Sequence, residues 1–256
     1  MTFKYLTAMR LPLAGMALGL LLPVNASLAA SSASADIDWS QFQINVMTGD
    51  VSYSPSYSST QGGSSIYDET NHVYPAQHYD SVDGWSSSLN TAAADAFASA
   101  ASSAAENSLH ANAQSGYQER SAYGYSQRYV NWSLTGSGII EVSVPYSLSA
   151  QSDVDEPGDS GYAGGNVQLS VLYSSIGGFS DSASRSASLD NNFWNQETSR
   201  SGLLKLVFLV EGDSTIDFYG SASAYTRGSA PVPVPGAAWL MGSALLGFLS
   251  IARRKN

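Results

Sequence analysis

The sequence predicts a mainly β protein, an antiparallel β-sandwich or jelly-roll-like single domain, and three observations predict it. Apolar residues recur at every second position in several short stretches, the period of a sheet with one wet face. Glycine and serine clusters separate these stretches, as turns do. Two apolar, basic segments bracket about 200 residues, enough for one domain with a real core and not comfortably for two. The boundaries fall at 1–30, 31–229 and 230–256.

Residues 1–30 read as an export signal peptide. Lys4 and Arg10 form a positive start, and the apolar run 11–22 follows. That run is too short for a comfortable membrane span, Pro23 ends it, and small residues offer cleavage after Ala26, Ala29 or Ala35. The body then opens on Ile37 and Trp39, which are one residue out of phase with Phe42, Ile44 and Val46, so a bulge or break is expected near Ser40.

Residues 52–88 look like a long loop or a pair of edge strands rich in Ser, Gly and Tyr. The Ala-rich run that follows, 89–105, has high helix propensity. Residues 130–134 alternate around Val130, Trp132 and Leu134, and 139–148 alternate around Ile140, Val142, Val144, Tyr146 and Leu148. Gly136 and Gly138 between them predict a hairpin. Pro145 predicts that one edge of the second strand is unpaired at that point. Val167, Leu169 and Val171 mark another strand. The nearly continuous apolar run 203–210 predicts a centrally placed strand. After the turn at 211–213, Ile216 and Phe218 should point inward.

The C-terminal segment has its own pattern. Alternating prolines end at Val232-Pro233-Val234-Pro235, 17 uncharged residues (236–252) follow, and Arg253, Arg254 and Lys255 close the chain before Asn256. Seventeen residues at about 1.5 Å each span roughly 25 Å, the lower limit for a transmembrane helix. The terminal basic cluster would stop transfer and leave the body outside the cytoplasm.

The run from Val232 to Phe248, with the tail Ala252-Arg-Arg-Lys255, resembles the PEP-CTERM class of protein-sorting signals, and most closely its VPLPA-CTERM variant. Val234 stands where the named class has Glu, and Gly236 where the variant has Ala. The resemblance covers about 25 residues and concerns the tail alone. It implies recognition by an exosortase, a membrane-embedded enzyme of Gram-negative bacteria that cuts near the proline motif and passes the body to the cell surface or exopolysaccharide matrix. It also implies that Ser-Ala alternation in the body runs as strand, which favours strand over helix for 89–105.

Charge follows the same division. All 21 acidic residues lie between Asp36 and Asp217, and the segment 31–230 carries 6 basic side chains, a net 6 − 21 = −15. Such a surface repels nucleic acid, whose binding needs clustered Lys and Arg. The absence of cysteine excludes a disulfide framework and a thiol nucleophile. Catalysis finds no motif: His72, His78 and His110 have no metal-protease spacing, and no G-x-S-x-G elbow or P-loop occurs. The expectation is a protein that is not an enzyme and needs no cofactor.

Three further readings stay open. Asp153, Asp155 and Asp159 surround Gly158 in the one acidic cluster, a weak calcium candidate that lacks the EF-hand pattern. Tyr57 and Tyr74 lie in the Tyr/Ser/Gly stretch, where rigid rings could stack on sugars, and Tyr123, Tyr125 and Tyr129 share one strand face as a cross-strand ladder. The functional expectation is an exported structural or adhesive protein of the envelope, exopolysaccharide or biofilm. The alternatives are a secreted carbohydrate-binding module and, last, a secreted hydrolase.

Overall fold

A computed structural model describes residues 31–84, 87–116, 119–152, 161–175, 180–191 and 196–228. The segment read as a signal peptide (1–30), the segment expected to carry sorting, with Val232, Pro233, Val234, Pro235, Arg253, Arg254 and Lys255, and the acidic cluster at Asp153, Asp155 and Asp159 all lie outside the described residues. Among the described residues no helix is long and apolar enough to cross a membrane.

The protein is mainly β, and among the described residues all strand pairs are antiparallel. Thirteen strands follow in order: β1 (Ser31–Asp38), β2 (Gln43–Gly49), β3 (Ser52–Asp68), β4 (Val73–Asp83), β5 (Leu89–Ala94), β6 (Ala98–Ala105), β7 (Ser108–Ser115), β8 (Arg120–Thr135), β9 (Ser137–Ser152), β10 (Tyr162–Ser175), β11 (Ser180–Asn191), β12 (Gln196–Glu211) and β13 (Ser214–Arg227). One sheet runs β12-β9-β1-β7-β6-β5, with β2 also on β9, and the other runs β11-β10-β13-β8-β3-β4. The sheets stack in matching order, β12 over β11, β9 over β10, β1 over β13, β7 over β8, β6 over β3 and β5 over β4. That is a sandwich.

The break expected near Ser40 is a 3-10 turn, Trp39–Gln41. It divides what would be one long strand, because β1 pairs with residues 146–151 of β9 and β2 with residues 138–143. Residues 144 and 145 lie in the gap, and Pro145, with no N–H to offer, sits in it. The turn lets both phases face inward: Ile37 and Trp39 are buried, and Phe42 and Ile44 pack against the same core. Trp39 stacks on Phe42 at 4.8 Å, and Phe42 meets Phe218 edge-on at 5.3 Å.

Three expectations need correction. The segments around Gly136 are not a hairpin, since β8 belongs to one sheet and β9 to the other. Both strands are apolar on their inner face, so each buries that face by standing opposite the other sheet, and Gly136 at φ 88° makes the corner. The run 203–210 is not central: β12 is an edge strand paired with β9 alone. Leu204, Leu206 and Val210 are buried, whereas Leu203, Val207 and Leu209 face outward. Of residues 52–88, 52–68 and 73–83 are the strands β3 and β4, and only β4 is an edge, because β3 is paired on both sides. The Ala-rich run is strand, as β5 and β6 joined at Asp95.

The glycine corner joins three sheet-switching connections. Asp50 donates its N–H to the Ser137 carbonyl (3.2 Å), and Ser137 donates its N–H to the Asp50 carboxylate (3.2 Å). Gly212 donates its N–H to the Ser137 hydroxyl (3.1 Å). Backbones touch so closely that a Cβ on Gly136 would come within 2.5 Å of the Asp50 carbonyl oxygen.

The interior is graded from this corner to the far end. Val, Ile, Leu, Phe and Trp side chains fill the near part, each contributing about 1.5–3 kcal/mol when buried. The far part is a thin layer of Ala33, Ala93, Ala98, Ala100, Ala111, Ala113, Ala122, Ala150, Ala163 and Ala224 around Ile66. A Cβ on Gly124 would lie 2.7 Å from the carbonyl oxygens of Ala101 and Asn112, so the sheets nearly touch there. Arg120 clamps this end, bonding Asp68 of β3 and Asp95 of the β5–β6 turn at 2.7 Å each, with Phe97 beneath its guanidinium. Burial pushes the Asp95 carboxyl up, but the Phe97 and Ala98 N–H groups and Arg120 outweigh it and hold the pKa below the usual carboxylate value. On the outer face of the seven-stranded sheet, His110 Nδ1 meets Asp36 at 2.5 Å, and this hydrogen bond raises the imidazole pKa against its partial burial.

Two predictions follow from the packing. Gly212→Ala, at φ 76° with nothing within 4 Å of the new methyl, should cost about 1–2 kcal/mol in urea unfolding for its left-handed backbone alone. Gly136→Ala adds a backbone clash and should cost clearly more; equal costs would mean that the corner is slack. His110→Gln should destabilise most below about pH 6.5. Because the folded pKa is raised, the difference from the native chain should shrink as pH climbs through that higher value. A difference that grows with pH would reverse the assignment.

Candidate functional site

The outer face of the six-stranded sheet carries the most distinctive chemistry among the described residues. Side chains alternate across a strand, so the odd-numbered positions of β8 and β13, and of β3 from Tyr57 onward past its bulge, share this face. Register aligns them in rows. Tyr225 lies opposite Tyr123, Tyr219 opposite Tyr129, and Asp217 opposite Asn131. From β3, Tyr57 aligns with Asn131, Gln61 with Gln127, and Gly63 with both Tyr125 and Tyr79 of β4.

The rows make two tyrosine groups separated by an amide band. At one end Tyr67 and Tyr74 have ring centroids 4.9 Å apart, Tyr123 and Tyr125 5.8 Å, and Tyr79 and Tyr125 6.3 Å. Gly63 is what lets Tyr79 and Tyr125 lie over β3, since a Cβ there would come within 2.4 Å of each ring. A depression of about 480 Å³ opens here, lined by Tyr67, Tyr74, Tyr79, Tyr123 and Tyr225 with Ser65, Glu69 and Ser121. Gln61 and Gln127 line a smaller hollow of about 180 Å³ with Ser59, Tyr129 and Tyr219. Beyond it Tyr57 and Tyr129 stand 6.0 Å apart.

Carboxylates orient the rings. Tyr57 donates to Asp83 (2.6 Å), Tyr129 to Asp217 (2.5 Å), and Tyr162 to Asp190 (2.6 Å). Burial and then the bond to Asp217 push the Tyr129 phenol up to about 12. Tyr162 reaches about 12 for the same two reasons, with Asp190 as acceptor. The Tyr57 phenol rises because it donates to Asp83, and burial raises Tyr123, Tyr125 and Tyr219. All six therefore stay neutral phenols at physiological pH, offering apolar ring faces beside fixed acceptors. A flat array of rings, amides and carboxylates suits a ligand with alternating C–H and O–H surfaces.

Tyr57 and Tyr74, singled out in the sequence, are both exposed on this face but are not brought together. They sit at opposite ends of β3, one by Tyr129 and the other by Tyr67. Tyr123, Tyr125 and Tyr129 do share one face; Tyr125 and Tyr129 contact Tyr79 and Tyr57 of neighbouring strands, and Tyr123 contacts Tyr125. Tyr219 and Tyr225 were overlooked. Their spacing of six residues repeats that of Tyr123 and Tyr129, which is what antiparallel neighbours need to place two ring pairs in register.

Among the described residues no group of three or more His, Asp or Glu side chains is placed to hold a metal ion. No protein-family model matches the chain, and neither a curated protein nor a solved structure matches it.

Proposed function

We propose that this chain is an exported, non-catalytic protein of the cell envelope or extracellular matrix that adheres to polysaccharide through the tyrosine face of its six-stranded sheet. The observation that carries the reading is the pair of tyrosine groups flanking the Gln61/Gln127 band, the Tyr57/Tyr129 group held by Tyr–Asp hydrogen bonds. Sugar rings present C–H patches that stack on phenol faces and hydroxyls that bond amides and carboxylates. A shallow, open face fits an extended polymer better than a small molecule, which buries most of its surface in a deep pocket. The net charge of −15 over residues 31–230 directs the choice toward neutral or cation-bridged glycans.

Delivery rests on the two ends. In this reading residues 1–30 start export, 236–252 hold the precursor in the inner membrane, and Arg253, Arg254 and Lys255 stop transfer. An exosortase-type enzyme then recognises Val232, Pro233, Val234 and Pro235, and the mature body reaches the cell surface or the medium.

Each half has its own test. On an array of bacterial polysaccharides the full chain should retain at least one glycan, and Tyr79→Ala or Tyr57→Ala should weaken retention about tenfold, the loss of one stacked ring. Binding that is absent, or unchanged in both variants, would remove the tyrosine face from the function. For sorting, Pro233→Ala with Pro235→Ala should leave unprocessed precursor in the membrane fraction. A double variant processed and released like the native chain would refute the motif.

A further inference from the structure

We propose that the free edge of β12 joins two copies of this chain, strand to strand, in antiparallel register about Phe208. The two sheet paths end in four edge strands, a fifth edge at β2 is broken by the bulge between Val46 and Thr48, and an unpaired strand edge is a template for another strand unless it is blunted. Three of the four are blunted here. β5 is only six residues long, β4 carries Pro75, and β11 is a serine strand interrupted by Arg185 and Asp190. β12 differs in length and in its apolar exposure: among the described residues it pairs only with β9, is sixteen residues long, has no proline, and leaves Leu203, Val207 and Leu209 exposed at 47%, 54% and 55%.

The occupant is chosen by the charge pattern of β12 itself. Two identical strands related by a two-fold axis normal to the sheet keep each residue on its own face, so partners share parity. Centred on Phe208, Val207 stands opposite Leu209 of the second copy, and Lys205 opposite its Glu211. On the inner face Leu206 meets Val210. Symmetry repeats each match, giving four aliphatic pairs, two on each face, and two ion pairs. Centring on Val207 instead sets Lys205 against Leu209, and centring on Lys205 sets the two lysines against each other. The Glu211 backbone is held where it donates its N–H to the Tyr173 hydroxyl at 2.9 Å, and Lys205, which bonds Glu141 of its own chain at 3.1 Å, would bridge that carboxylate and Glu211 of the second copy. A hollow of about 400 Å³ beside Val207, Phe208 and Leu209 would be closed by the second copy.

Sedimentation of the full chain over a concentration series tests this. The native chain should dimerise. Lys205→Glu and Glu211→Lys each place two like-charge pairs in the interface and should weaken dimerisation about tenfold. An equimolar mixture of the two variants restores both ion pairs and should regain native affinity, a rescue that misfolding cannot imitate. Circular dichroism of each variant should match the native spectrum. A native chain that stays monomeric throughout, or a mixture as weak as its components, would overturn the proposal.

Discussion

The interlock between Asp50 and Ser137 is the constraint on which the rest of the fold depends. A sandwich whose consecutive strands repeatedly change sheets must turn its chain through the layer between them, where unpaired backbone groups are costly. At this corner the groups satisfy one another: the Asp50 N–H meets the Ser137 carbonyl, the Asp50 carboxylate accepts the Ser137 N–H, and the Ser137 hydroxyl accepts the Gly212 N–H. Three connections distant in sequence are thereby held at one point, which sets the registers of β2, β8, β9, β12 and β13 leading away from it. Glycine is needed at Gly136 because the backbone is left-handed and the Asp50 carbonyl leaves no space for a methyl.

Away from the corner the sheets converge, and composition follows spacing. Large aliphatic and aromatic side chains hold the sheets apart near Phe218 and Trp39, while alanine and glycine let them close at Gly124. An alanine layer buries little apolar area per residue, so the far end relies on polar anchors. Arg120 binds Asp68 and Asp95 across the two sheets. Nearer the large core, Arg128, buried between the sheets, donates to the carbonyls of Ala105 and Glu106 and pins the β6–β7 turn, with burial lowering its pKa. The alanine strands that read as helix by propensity are therefore tertiary in origin. Only a second sheet at close range makes small side chains the right ones.

That distinction explains what was legible in the sequence. Period-two alternation located the inner faces of β9, β10 and β13, the inward Phe42 and Ile44 beside an exposed Val46, and the kink at Ser40, because burial acts on single residues in order. Pairing partners were not legible. A glycine corner between two alternating strands looks the same whether the strands hydrogen-bond as a hairpin or stack across the core, so β8 and β9 were misjoined. An unbroken apolar run signals burial on both faces, and β12 breaks that rule by keeping Val207 and Leu209 on the outside. The tyrosine site was half visible: Tyr57 and Tyr74 were conspicuous as exposed rings, but which rings meet depends on register across four strands.

The violation at β12 and the tyrosine face are compatible in one assembly. A two-fold axis normal to the seven-stranded sheet at Phe208 joins two such sheets edge to edge and keeps their outer faces on the same side. The six-stranded sheets then lie together on the opposite side, so the tyrosine faces of both copies point the same way. No tyrosine of that face belongs to β12, and the joint would consume none of the binding surface. Two weak, flat sites facing one polymer bind it far more tightly than either alone, because the second contact is intramolecular. An open face of stacked rings has little capacity to enclose its ligand, so doubling it by an exposed apolar edge is a physical route from weak contact to firm adhesion.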